Sequence, residues 1–461
     1  MNRCMEEYIK NSIFREYDIR GVVETDFNDK LVYNIGKAFG TYLINNNCSN
    51  MSVSGDIRKT TPNLKKILID GAISVGVNVY DMGILATPTN YFSLFNTDIK
   101  NSIQITGSHN PAEYNGFKIS FNKKPFYGKS IQLLKNTIIN EDYANDCVGK
   151  LFTMNITNEY IDYISNAFDL KKKINVAMDC ANASACLIAP VIYERLGIPS
   201  INIYSEIDNS FPNHHPDPTV DSNLEDLINK VLSSDSDLGI AFDGDADRLV
   251  VVDNKGRIIR SDILLALFVE NIIKPNDSVV YDVKCSMSLK ETIVKHGGLP
   301  IECPTGHSII KNKIIDFNSK IGGEMSGHIF FSDKYFGYDD AVYVSLRLVE
   351  ILAQTNLKLS DLVDRIPKYI STPEIRLDCE NDYLKIEIVK IISEYFVASY
   401  NCSVIDGVKI LFENGWALIR SSNTQPVIVL RFEANDLNNL EKYKKLVAVK
   451  LKELCSYDVQ F

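Results

Sequence analysis

Three aspartates at alternate positions in LGIAFDGDADRLVVVDNKG (238–256) raise the first chemical question. Asp243, Asp245 and Asp247 lie between two apolar runs. Carboxylates this close repel one another unless a cation holds them, and an all-oxygen set suits a hard ion, Mg²⁺ or Ca²⁺. A calcium hand needs glycine at its sixth position and glutamate at its twelfth, where this chain has Arg248 and Asn254. The triad therefore reads as a Mg²⁺ site with coordination room for a phosphate oxygen, the arrangement of phosphoryl transfer. A solvated acidic turn is the plain alternative.

A hydroxyl stands in ITGSHNPAEYNGFKI (105–119), where Ser108 follows a buried strand and precedes His109. It is either turn chemistry or a nucleophile with a base beside it. In GGEMSGHIFF (322–331), Glu324, Ser326 and His328 alternate. If that segment is extended they share one face and could bind vicinal sugar hydroxyls; a structural polar loop is the alternative. In RSSNTQP (420–426), Arg420 offers a fork that fits phosphate. Ser422, Asn423 and Thr424 then add turn donors, and an ordinary polar hairpin is the competing reading. The histidines of FPNHHPDP, His214 and His215, read as structural, and His296 ends a plain amphipathic helix.

The elements that must carry these loops repeat. MSVSGDIR, a helical run from Pro62 and VGVNVYDMG form one strand–helix–strand unit. INVAMDCANAS, CLIAPVIYERLG and IPSINIY form a second. DSVVYDVKCS, MSLKETIVKHGG and LPIECPTGHS form a third. Such units imply parallel strands and α/β layering. Three copies predict three similar domains, although one large sheet would give the same signal. WALIRSSNTQPVIVLRFEA (416–434) predicts two strands around a tight loop, followed by a charged helix, as in a smaller α+β domain.

The chain has 461 residues, 45% hydrophobic and 23% charged, which fits a soluble multidomain protein. A net charge of −10 argues against nucleic acid or an anionic membrane as partner. ILLALFVENII (263–273) is too short to span a bilayer and reads as core. The N-terminus lacks the apolar stretch of a signal peptide, and the ten cysteines form no C-x-x-C pair. A cytoplasmic protein with reduced thiols is expected.

Taken together, TGSHNP, DGDADR, GEMSGH and RSSNT resemble, in order, the phosphoserine, metal, sugar and phosphate loops of the α-D-phosphohexomutase superfamily. FREYDIRG, FPNHHPDPTV, DVKCS and TGHS are also similar to stretches of its bacterial phosphomannomutase/phosphoglucomutase branch. The resemblance implies three mixed α/β domains and a smaller C-terminal α+β domain around a central cleft. Charged or turn-like residues near 151, 254 and 367 give the ranges 1–151, 152–254, 255–367 and 368–461. It implies that Ser108 carries a phosphoryl group and that Mg²⁺ sits on Asp243, Asp245, Asp247 and Ser108. Hexose 1- and 6-phosphates of mannose and glucose would interconvert through a hexose 1,6-bisphosphate, which also serves as activator. His109, Lys118 and His328 are acid–base candidates, and Lys118 would need a lowered pKa to act as base. Arg248 is expected to steady the transferring phosphate. Tyr17, Arg20, Lys284, Ser286 and His307 are expected to contact phosphate or sugar, with Arg420, Ser422, Asn423 and Thr424 on the non-reacting phosphate. A monomer is expected.

Two turns depart from the family pattern: CANAS (180–184) has Ala181 in place of glycine, and SGDIR (54–58) is a looser G-x-D-x-R. Met287 stands where many relatives carry arginine. Met325 favours the mannose/glucose branch over phosphoglucosamine mutase, which is the alternative function. A sugar phosphatase and a non-catalytic sugar-phosphate binder are the remaining readings.

Overall fold

The computed structural model describes residues 13–144, 147–422, 425–457 and 459. The chain forms two compact units, Met1–Ser261 with Ser326–Leu362, and Asp262–Met325 with Val363–Phe461.

The first unit contains two mixed sheets. The first is built from β1 (Ile19–Val22), β2 (Asn50–Gly55), β3 (Asn78–Ile84), β4 (Ser102–Ile105), β5 (Tyr114–Phe121), β6 (Lys124–Pro125) and β7 (Leu151–Thr153), in the order β1-β5-β4-β2-β3-β7 with β6 on β5. The second comprises β8 (Val176–Asp179), β9 (Ser200–Ile203), β10 (Leu238–Phe242), β11 (Leu249–Asp253) and β12 (Ile258–Ile259), in the order β12-β11-β10-β8-β9. β2 and β4 are buried along nearly their whole length, as expected of strands covered on both faces. The helices Asp29–Asn45 and Thr61–Ile73 pack over the first sheet and cross at two glycines. A Cβ on Gly36 would lie 2.1 Å from the Leu68 carbonyl oxygen, and one on Gly71 would lie 2.1 Å from that of Tyr33. Asn28 caps the first of these helices through the Leu31 N–H.

In the second unit, β13 (Ser278–Asp282), β14 (Leu299–Cys303) and β15 (Ile321–Gly323) run parallel with β13 central. The helix Ser261–Ile272 holds the fully buried run Leu264–Val269, so this segment is core as expected. The C-terminal region is an antiparallel sheet whose long strands are Val408–Phe412, Gly415–Ser421 and Val427–Ala434. It packs against the helices Asp382–Ser399 and Leu437–Cys455 around Phe396, Ile419, Phe432 and Leu451.

All three predicted repeats are present. Each leading strand pairs in parallel with the strand after its helix: β2 with β3, β8 with β9 and β13 with β14. Each also pairs in parallel on its other side with a third strand, β4, β10 or β15. The serine loop leaves β4, the aspartate loop leaves β10 and the GEMSGH stretch leaves β15. Equivalent carboxyl ends of parallel strands therefore supply all three motifs, which is where open α/β sheets place their ligands. No helix among the described residues is long and apolar enough to cross a membrane.

Candidate active site

Ser108 is buried and has φ +48°, a conformation that a residue with a Cβ rarely adopts. Its N–H donates to Thr106 Oγ1 at 2.8 Å. Its hydroxyl reaches Asp243 Oδ2 at 3.1 Å and lies 3.3 Å from His109 Nδ1. The two loops meet backbone to backbone, since a Cβ on Gly244 would lie 2.3 Å from the Ser108 carbonyl oxygen. Glycine in DGDADR is thus a condition of the serine's approach to the triad.

Asp243, Asp245 and Asp247 are buried, with one oxygen of each within 4.8 Å of the others. Asp243 Oδ1 accepts from the Asp247 and Arg248 N–H groups at 3.0 and 3.1 Å, closing the loop on itself. Asp245 accepts from Thr87 Oγ1 at 2.5 Å and from Lys118 Nζ at 2.6 Å. Lys118 also donates to Asp247. Asp245 Oδ1 and Asp247 Oδ1 are buried without a hydrogen-bond partner. Clustered hard oxygens with unsatisfied lone pairs fit a divalent cation such as Mg²⁺.

The electrostatics agree. Burial, then the charges of Asp247 and Asp245, push the Asp243 carboxyl well above its ordinary range. Burial works to lower Lys118, but Asp245 and Asp247 outweigh it and hold the ammonium well above its usual pKa. Lys118 is thus a charged donor to the same carboxylates that would hold a cation. Burial and then Arg248, Arg20, His328 and Lys118 press His109 well below the usual imidazole range, so it is neutral.

His328 is buried, with Nδ1 at 3.0 Å from Asp339 Oδ2 and 3.6 Å from Asp247 Oδ1. Arg248 Nε donates to His328 Nε2 at 3.0 Å, which places the imidazole proton on Nδ1, facing Asp339. Arg20, on β1, is held by Asp18 at 2.5 Å, and Tyr17 beside it is half-buried. His214 Nε2 lies 3.0 Å from Asp179 Oδ2, and the Pro216 carbonyl after His215 accepts the Gly244 N–H at 3.1 Å.

In the second unit, Lys284 Nζ binds Glu374 at 2.6 Å and Arg420 Nε binds Asp406 at 2.9 Å. The Thr305 N–H also donates to Asp406, at 3.1 Å, and His307 opens the helix His307–Asp316. Glu324 accepts from the Gly306 N–H. Ser286 is a helix cap: its Oγ accepts from the Ser288 N–H at 3.1 Å, and its own N–H goes to Asp262 at 2.9 Å. Ser422 Oγ accepts from the Gln425 N–H at 3.2 Å. Asn423 and Thr424 lie outside the described residues. Residues 324–328 form a turn with Gly327 at φ +106°, not an extended segment, so alternation does not give Glu324, Ser326 and His328 a common face.

Sequence reasoning missed three groups. Asp339 precedes the helix cap Asp340, which hides it inside an ordinary capping pattern. Thr87 opens a helix, and nothing in its neighbours marks it. Asp56 and Arg58 read as an ordinary turn, although Asp-x-Arg directly after a buried strand was a signal.

Comparison with known proteins accords with this geometry. Family models for phosphoglucomutase/phosphomannomutase match in order: alpha/beta/alpha domain I over residues 11–145, domain II over 158–256, domain III over 260–369 and the C-terminal domain over 356–450. A phosphomannomutase/phosphoglucomutase of Pseudomonas syringae pv. tomato is 40% identical over 97% of this chain and 96% of its own. A phosphoglucomutase of Neisseria gonorrhoeae is 37% identical over 94% and 95%. The crystal structure of a phosphoglucomutase/phosphomannomutase family protein from Burkholderia thailandensis superposes with a TM-score of 0.91 at 35% identity, covering 98% of this chain and 99% of that one. The chain belongs to the phosphoglucomutase/phosphomannomutase family.

Proposed function

We propose that this chain interconverts hexose 1-phosphates and hexose 6-phosphates, those of mannose and glucose, with Ser108 as the phosphoryl carrier. Phospho-Ser108 gives its phosphoryl group to the free hydroxyl of the sugar phosphate: an O–P bond forms to the sugar oxygen, and the bond to Ser108 Oγ breaks. The hydroxyl proton leaves to a base, and Ser108 Oγ regains one. The resulting 1,6-bisphosphate turns round and returns its other phosphoryl group to Ser108, and the same bisphosphate primes unphosphorylated enzyme. The observation that carries this reading is the Ser108 hydroxyl, 3.1 Å from a buried aspartate triad with unsatisfied oxygens.

Asp243, Asp245 and Asp247, with an oxygen of the serine phosphate, would hold Mg²⁺, which when bound offsets negative charge on the transferring group. His109, neutral and beside Ser108 Oγ, exchanges the serine proton. Lys118 and His328 are the candidates for the sugar proton, since a cation taking over Asp245 and Asp247 removes the two charges that raise the Lys118 ammonium. Arg20, Tyr17 and Arg248 steady the reacting phosphate. Lys284, His307, Glu324, Ser326 and the loop Arg420–Thr424 bind the sugar and the other phosphate. Identities near 40% to dual-specificity relatives favour this reading over phosphoglucosamine mutase. We also infer four domains with the boundaries expected from the sequence, action as a monomer and a cytoplasmic location.

Phosphorus NMR of the protein with Mg²⁺ and a trace of hexose 1,6-bisphosphate tests the proposal. Mannose 1-phosphate and glucose 1-phosphate are expected to yield 6-phosphates faster than glucosamine 1-phosphate does. Preferential turnover of the amino sugar would support the alternative, and release of inorganic phosphate alone would refute mutase chemistry.

A further inference from the structure

We infer that Arg58 is the positioning residue that fixes the nucleophile loop, an inference that rests on reading Ser108 as the phosphoryl carrier. Arg58 leads from the end of β2 and is 2% exposed. An arginine this deeply buried cannot bind substrate, and its charge has to be met inside the protein. Asp56 supplies the countercharge, and the serine loop takes the remaining hydrogen bonds. The guanidinium donates to the Ser108 carbonyl at 2.8 Å, the Asn110 carbonyl at 2.5 Å and the Tyr114 carbonyl at 3.2 Å, and also to that of Pro111. Its Nε binds Asp56 Oδ2 at 3.1 Å. The same carboxylate oxygen takes the Gly107 N–H at 3.1 Å and the Thr106 hydroxyl at 2.8 Å, and Thr106 Oγ1 receives the Ser108 N–H at 2.8 Å.

Asp56 and Arg58 thus hold the N–H and C=O groups on either side of Ser108. Behind the guanidinium lies the Phe211 ring, 5.3 Å from Cζ to ring centroid. Gly107 completes the fit, because a Cβ there would lie 2.5 Å from the guanidinium. This array maintains Ser108 at φ +48° with Oγ aimed at Asp243. Only a planar fork with five donors can serve four carbonyls and a carboxylate at once; a lysine has one point charge and three donors. Loss of the fork frees the serine to leave its left-handed conformation and carries Oγ away from the triad.

The test is single-turnover transfer from hexose 1,6-bisphosphate to unphosphorylated Ser108, followed by intact-mass measurement with Mg²⁺ present. Wild type, Arg58→Lys and Phe211→Leu are compared. Arg58→Lys is expected to slow transfer at saturation about 10- to 100-fold, with half-saturation moved less than about threefold, because no substrate contact is lost. Phe211→Leu is expected to slow it by less, with half-saturation likewise unmoved. A purely structural role would instead lower the folded fraction and leave folded molecules transferring at the wild-type rate, and that result overturns the inference. If Arg58→Lys does not fold, Phe211→Leu decides alone, and a wild-type rate in it overturns the inference. Wild type that takes up no phosphoryl group on Ser108 overturns the mutase reading itself and this inference with it.

Discussion

The first and third repeats end their leading strands with the same device and put it to different uses. β2 runs into Asp56-Ile57-Arg58 and β13 ends in Asp282-Val283-Lys284. In each, the aspartate binds the backbone two residues beyond the repeat's third strand: Asp56 takes the Gly107 N–H at 3.1 Å, and Asp282 takes the Met325 N–H at 3.3 Å. The cations diverge. Arg58 spends its guanidinium on carbonyls, which cannot move without breaking the loop. Lys284 is paired with a side-chain carboxylate, Glu374, at 2.6 Å, a partner that an incoming phosphate can replace. One scaffold position thus fixes the serine loop in the first repeat and, in the third, carries a lysine that under the proposed function grips the ligand. The second repeat keeps the aspartate, Asp179, has no cation at the matching Ala181, and turns the carboxylate to His214.

This contrast can be broken most directly at the residues it separates. Ser108→Ala is expected to lower kcat at least about 10³-fold while the folded structure persists; near-normal turnover by phosphorus NMR would remove the chemistry from the first repeat. Lys284→Ala is expected to raise KM roughly tenfold or more with kcat changed much less, as for a charged ligand contact worth about 1.5–3 kcal/mol. A loss confined to kcat would erase the distinction between the two cations.

A third prediction concerns acid. Lys284 first, against the effect of burial, lowers Glu374 from 4.5 to about 2. The unfolded chain therefore holds that proton more tightly than the folded one. The pair's stabilisation is complete above about pH 4.5 and disappears as the pH falls through 2. Urea unfolding of Lys284→Met over this window should show a flatter acid limb than wild type; identical slopes would mean the pair is not coupled to folding. The smallest effect is expected in the second repeat. Ala181 and Asn182 sit at φ +51° and +55°, so Ala181→Gly should stabilise by about 0.5–1 kcal/mol, measured as an upward shift in Tm. A lower Tm would show that another contact makes alanine worth its strain.

Much of this was legible in the sequence because strand–helix–strand periodicity and loop motifs are local. The three repeats and the hairpin near 416–434 follow from such signals, whereas the pairing of Ser108 with the aspartate triad was expected only from the family resemblance. Contacts between distant segments were not legible. Arg58 meets carbonyls some fifty residues further on, and Asp339 reaches His328 from beside a helix cap; spacing encodes neither. The alternation of Glu324, Ser326 and His328 misled for the opposite reason. Period two marks a common face only in extended chain, and Gly327 makes that stretch a turn.

The Lys118 ammonium lodged against Asp245 and Asp247 bears on how the protein is made. Three carboxylates closed into an interior with no cation would oppose collapse of the first unit. Lysine on β5 carries its own positive charge into the site as the sheet forms, so folding does not have to wait for an ion.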